Sequence, residues 1–402
     1  MARLAESAPA HKHTLKLRNP NIFSNPRSDF STITARITEA MNPSVRIPIW
    51  TIAAPVFAGA VLLAAGFGIG IGGIIVAFVS LGLAASVFAA VHHAEVIAHR
   101  VGEPYGTLVL ALAVTLIEVA LIVSLMAAGG EEAAGLARDT VFAAVMIILN
   151  GIIGLCLLVG GLTHREQTFS LDGVSAALVA LATIVIMTLV FPNYTVTTPG
   201  PYYSSSQLIL IAVVTLVIYG AFIFTQTIGH RQYFLQDDEA EKSTQHTARP
   251  SNAVTALSSL LLLMCLAAVV LLAKKLAPSL EAAVLKMGAP EALVGVIIAG
   301  IVLLPEGLAA LRAARSNHLQ TSLNLALGSA LASIGLTIPA VSFVSLYMNS
   351  RLRLGIDAKS SVLLLLSLFV AVLVLRTGRT IILHGVVLLT IFVVYLFTSI
   401  VP

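Results

Sequence analysis

Charge is scarce in this chain. Of its 402 residues only 10% are Asp, Glu, Lys or Arg, while 58% are hydrophobic, and the mean hydropathy is +0.97. Soluble domains carry roughly 25% charged residues, so the composition excludes a soluble fold and points to a polytopic membrane protein. Cysteine is nearly absent. Cys156 and Cys265 lie alone in apolar runs, which excludes a disulfide framework and a thiolate metal cage. Enzyme signatures are missing too. No HExxH pair, GxSxG elbow or GxxxxGK[ST] loop occurs, which argues against a membrane-embedded enzyme and against a primary pump on this chain. Residues 1–45 contain no apolar run of secretory-signal length and are expected to form a cytoplasmic tail.

What is present is a series of apolar runs of about 20 residues, long enough to cross a bilayer as helices. They predict an all-α fold of about eleven spans, at 46–70, 72–94, 104–128, 140–163, 170–192, 205–229, 253–273, 291–313, 320–347, 360–376 and 380–401. Pro339 predicts a kink in the ninth. With the N-terminus in the cytoplasm, the 23 Lys and Arg divide 16 to 7 in favour of the cytoplasmic side. That bias fits the positive-inside rule, although Arg351, Arg353 and Lys359 run against it. The expected location is the cell (inner) membrane, with the C-terminus on the opposite side.

The polar segment 231–252, with Asp237, Asp238, Glu239 and Glu241, falls after the sixth span. It reads as a solvated connector or as a cation-attracting element at the cytoplasmic mouth. Setting aside an extra first helix at 46–70, five spans precede it (71–230) and five follow it (253–402). Five is odd, so corresponding helices run in opposite directions, as in inverted-repeat transporters with a site at the midplane. Residue order supports this. Glu95–Gly102–Pro104 and Glu281–Gly288–Pro290 share one spacing; each is followed by a Glu inside an apolar run, then by Asn and Gly four residues apart.

Those central residues are Glu118 and Glu306. A carboxylate at this depth costs about 2.5–3.5 kcal/mol on insertion scales and marks a functional site by default. The Asn residues are Asn150 and Asn324. Hard cations such as Ca²⁺ take six to eight oxygen ligands. The two carboxylates and two amide oxygens would form the core of such a set. Thr115 adds a hydroxyl one turn from Glu118, and Pro305 leaves the Ile301 carbonyl without its helix partner. Gly154, Gly328, Ser329 and Ala332 keep the facing helices narrow, and Ser329 is a further candidate ligand. The same carboxylates bind protons, and a bound proton and a bound cation exclude each other. With alternating access, that competition couples the two flows.

GEPYGTLVLALAVTLIEVALI, EALVGVIIAGIVLLPEGLAALRAA and NLALGSALASIGLTIPAV resemble the bacterial calcium/sodium:proton antiporters of the ChaA type, within the cation/Ca²⁺ exchanger superfamily. The resemblance covers about residues 46–402. It implies ten core helices in two inverted repeats, an extra first helix, and an acidic connector matching 235–241. It implies paired acidic residues at Glu118 and Glu306, and Asn-bearing helices at Asn150 and Asn324. The superfamily's more usual Gly-Asn-x-x-Glu is replaced here by Thr115-Leu-Ile-Glu118 and Leu303-Leu-Pro-Glu306, which changes the ligand set. The implied activity is exchange of Ca²⁺, Na⁺ or K⁺ for H⁺, with no cofactor and no nucleic-acid partner. A cation channel or a Na⁺-coupled exchanger on the same site is the alternative, and a homo-oligomer stays open. His92, His93, Glu95 and Glu281 read either as interfacial polar residues or as a proton entry relay. His384 reads as a buried hydrogen-bonded residue.

Overall fold

The computed structural model describes residues 47–66, 73–102, 105–129, 135–234, 250–286, 288, 290 and 292–401. Among these, eleven helical rods follow one another: α1 Ile49–Gly66, α2 Gly73–Val101, α3 Tyr105–Gly129, α4 Leu136–His164, α5 Leu171–Tyr194, α6 Ser205–Gly229, α7 Asn252–Lys286, α8 Ala292–Arg315, α9 Leu319–Tyr347, α10 Ala358–Leu375 and α11 Ile382–Ile400. Nine of them are long and apolar enough to cross a membrane; the apolar parts of α1 and α3 are shorter. Helices suit this solvent because all their backbone polar groups pair internally.

Boundaries differ from the hydropathy reading in instructive ways. α7 runs to Lys286, through Lys274, Lys275 and Pro278, because exposed lysines are good helix formers even where hydropathy falls. α9 continues through Pro339. Gly102 and Gly288 close α2 and α7 at φ 76° and 69°, a left-handed conformation that favours glycine at a helix end. Two rods change pitch internally. α4 is π-helical over Ile147–Ile152 and α5 over Ile186–Val190.

Packing follows a regular scheme. α2 lies along α7, α3 packs on α9 and α8 on α4, and α6 packs on α9 and α11 on α4. Moving one helix five places forward and the other five places back turns α3–α9 into α8–α4 and α6–α9 into α11–α4. Loops obey it as well. Gln167–Thr168 (β1) after α4 pairs antiparallel with Arg379–Thr380 (β2) before α11. At the other end Tyr202, before α6, bridges to Arg353, after α9. Close approach depends on small residues. A Cβ on Gly385 of α11 would stand 2.4 Å from the Leu158 nitrogen, and one on Gly295 of α8 would stand 3.0 Å from the Asp139 carbonyl carbon.

Many hydroxyls on these helices, exposed and buried, serve themselves. Those of Thr163, Thr183, Thr188, Thr225, Ser342, Ser367 and Thr390 donate to the carbonyl four residues back. That local bond keeps a polar group satisfied without a neighbour. Hydroxyls that do something else therefore stand out.

Candidate cation-binding site

Ser333 on α9 is such a hydroxyl. Its Oγ donates to Glu118 of α3, at 2.6 Å from Oε1 and 2.8 Å from Oε2. Glu118 is 4% exposed and Ser333 equally buried. A hydrogen bond to a carboxylate is stronger than one between neutral groups, and this one joins the two halves of the chain. Sequence reasoning missed Ser333. The signal was its position one turn after Ser329, on the same face of a helix already singled out. Thr337 continues that face by another turn. It is fully buried, and its Oγ1 has no hydrogen-bond partner among the described residues.

Glu306 lies on α8, within electrostatic reach of Glu118 and of Glu95 on α2. Both its carboxylate oxygens are buried, and neither receives a hydrogen bond from another described residue. One carboxylate is thus held by a hydroxyl of another helix, and the other receives no hydrogen bond from another of the described residues. Thr115 is buried one turn before Glu118. The Ile301 residue borders a small apolar cavity together with Val87 of α2 and Leu121 of α3. Among the described residues no three of His, Cys, Asp and Glu converge. A cation here would therefore meet two carboxylates and otherwise neutral oxygens, the donor set of a hard ion.

Asn150 sits in the π-helical turn of α4. Its Nδ2 donates to Ser367 Oγ of α10 at 2.9 Å, and its Oδ1 is buried without a partner among the described residues. Such a turn displaces a side chain from the regular helical register and is frequent at functional sites. Asn324 is engaged elsewhere. Its amide donates to the Phe234 carbonyl and accepts from Gln320 at 3.0 Å. It precedes Ser333 by nine residues, about 13 Å along the helix. The structure brings Ser333 to Glu118 in its place. Gly154 packs tightly on Leu388 and Leu389 of α11, whereas Gly328 faces open space.

The remaining candidates disperse. His93 is buried with Nε2 3.4 Å from the Thr51 carbonyl of α1, and the His92 ring lies 5.8 Å from that of Trp50. The pair faces the first helix, because both sit on the side of α2 that α1 covers. Glu95 is exposed. Glu281 belongs to α7, and Ser329 is half-buried on α9. His384 Nδ1 is buried without a hydrogen-bond partner among the described residues, so its expected bond is not made at that atom. Asp237, Asp238, Glu239 and Glu241 lie outside the described residues.

Residues 69–228 and 257–401 match the sodium/calcium exchanger protein family. The chain belongs to that family. The exchanger is 46% identical over 362 residues to a putative ionic transporter, y4hA, of Sinorhizobium fredii, covering 89% of this chain and 98% of the relative. It is 37% identical over 320 residues to the sodium-potassium/proton antiporter ChaA of Escherichia coli, covering 79% and 86%. The solved structure of native YfkE superposes with a TM-score of 0.66 at 18% identity, over 88% of this chain and 100% of that one. The H⁺/Ca²⁺ exchanger CAX does so with 0.66 at 16%, over 86% and 87%. The exchanger is therefore an integral membrane protein with a cation-exchanger fold, and its relatives are transporters rather than enzymes.

Proposed function

We propose that the protein exports Ca²⁺, Na⁺ or K⁺ in exchange for protons, by alternating access at a midplane site formed by Glu118 and Glu306. The observation that carries this reading is the buried pair itself. Two carboxylates from α3 and α8 lie within electrostatic range of each other inside a bundle, and the oxygens of Glu306 carry no hydrogen bond from another described residue. Charge that is costly to place in apolar surroundings is kept where an ion or proton neutralises it. Ser333 holds Glu118 in place; Thr115, Asn150 through its unpartnered Oδ1 and the Ile301 carbonyl are the neutral donors assigned to the site. Glu95, exposed yet coupled to Glu306, is the group best placed to pass protons from the surface.

The two sets of five helices act as inverted repeats about this site, with the N-terminus cytoplasmic. The matched contacts of helices five apart support that assignment, as do the paired left-handed glycines at 102 and 288. One carboxylate pair serves both ions, so proton release from Glu118 and Glu306 accompanies cation entry.

Everted membrane vesicles test the proposal. Added cation should dissipate a preformed proton gradient, and Glu118→Gln or Glu306→Gln should abolish the response while the protein still inserts. Near-normal exchange in both variants would remove the site assignment. Continuous ohmic current in place of cation-dependent proton release would favour the channel alternative.

A further inference from the structure

An apolar groove of about 270 Å³ opens between α4, α8 and α11. Its lining includes Leu155 of α4, Phe392 of α11, and Gly300, Leu304, Leu308 and Leu311 of α8. Leu155, Leu304 and Leu308 are 39–46% exposed, so the groove faces outward from the bundle. A Cβ on Gly300 would meet nothing within 4 Å. Positions 300, 304, 308 and 311 form one stripe at helical spacing, and the same stripe continues into Arg312 and Arg315. From Gly300 to Leu311 is eleven residues, about 16 Å of helix. That is close to half of the roughly 30 Å hydrocarbon core, the thickness of one leaflet.

The three groove helices meet at one face, and that face is basic. The ring of His164, ending α4, bonds the Arg315 carbonyl at 2.9 Å. Gln167 donates to the Ala314 carbonyl at 2.9 Å. The β1–β2 pair brings in the turn before α11, where Arg379 meets Glu166 at 3.4 Å. Arg165, Arg312, Arg315, Arg376 and Arg379 are all exposed there. Among the described residues at these helix ends, two carboxylates, Glu166 and the exposed Asp172 at the start of α5, stand beside five guanidiniums.

We propose that this groove binds one anionic phospholipid of the surrounding membrane, its headgroup on the arginines and an acyl chain along the α8 stripe. Guanidiniums match phosphate geometry with paired donors, and basic pockets between membrane helices hold anionic headgroups. The apolar lining accepts only hydrocarbon. The proposal is independent of the transport assignment, since it uses neither glutamate.

Native mass spectrometry of the full chain purified from nanodiscs tests it, with phosphatidylglycerol and phosphatidylcholine as alternative probes. One phosphatidylglycerol should be retained in preference to phosphatidylcholine, and soluble glycerol phosphate should not displace it. Arg312→Gln combined with Arg315→Gln should weaken retention about tenfold or more. Gly300→Leu, which fills the groove and leaves every arginine in place, should weaken it as well. Arg351→Gln combined with Arg353→Gln, on the opposite face, should not. Retention unchanged by Gly300→Leu would overturn the groove and leave only surface attraction; equal losses from both arginine pairs would overturn the site altogether.

Discussion

Glu118 of α3 and Glu306 of α8 have different surroundings. Ser333 binds both oxygens of the first; the oxygens of the second are free of other residues. A bond to a charged group is worth about 1.5–3 kcal/mol, so Ser333→Ala should weaken apparent cation affinity by about 10- to 100-fold in vesicle exchange assays. The protein should still be inserted and folded. Asn324→Ala makes the contrasting case. Its bonds run to Phe234 and Gln320, so melting temperature should fall while cation half-saturation stays the same. A large affinity loss in Asn324→Ala with none in Ser333→Ala would reverse the roles assigned to them. Glu118 and Glu306 were visible in the sequence because charge inside an apolar run is rare. Ser333 was not, because a serine in a membrane helix ordinarily bonds its own backbone, and only the approach of α3 redirects it.

Helix–helix contact in this protein turns on places without side chains. The α4–α11 seam is narrow because Gly385 lets α11 rest on the backbone of Leu158, with Gly154 beside it. A side chain there meets backbone, which cannot swing aside. Gly385→Val should therefore cost at least the 1–3 kcal/mol typical of overpacking, read as a lower melting temperature in detergent, whereas Gly300→Ala, beside open space, should leave it almost unchanged. The hydropathy pattern located the helices themselves, since a long apolar run has few other ways to satisfy its backbone. Their ends were less legible. α7 extends about 13 residues past its apolar run, and the π-helical turn carrying Asn150 follows from contacts with α10 and α11 that no local pattern encodes.

On the scale of the whole molecule, the proposed exchange has a proton and a cation competing for the carboxylates of Glu118 and Glu306. The sign follows directly: acidification fills the carboxylates with protons, so the cation concentration giving half-maximal exchange should rise as pH falls. Cation uptake into everted vesicles across a pH series measures it; half-saturation independent of pH would separate the proton site from the cation site. Sidedness has its own test. Single cysteines at positions 166 and 353, in a variant lacking Cys156 and Cys265, should label from opposite faces of the membrane, with 166 cytoplasmic. Labelling of both from one side would overturn the orientation.

Hydropathy determined a membrane-embedded all-helical chain on its own, and the twice-repeated order of Glu, Gly, Pro, Glu, Asn and Gly directed attention to the two glutamates of the proposed site. These are properties of local segments facing a bilayer, and each segment answers to that solvent almost independently. Tertiary structure alone decided which groups meet. It placed Ser333 against Glu118, drew Asn324 away to the carbonyl of Phe234, and turned His92 and His93 toward α1. Those pairings depend on segments 42 to 215 residues apart in the chain approaching within a few ångströms, and the small residues that permit the approach look alike whether they lie on a seam or beside open space.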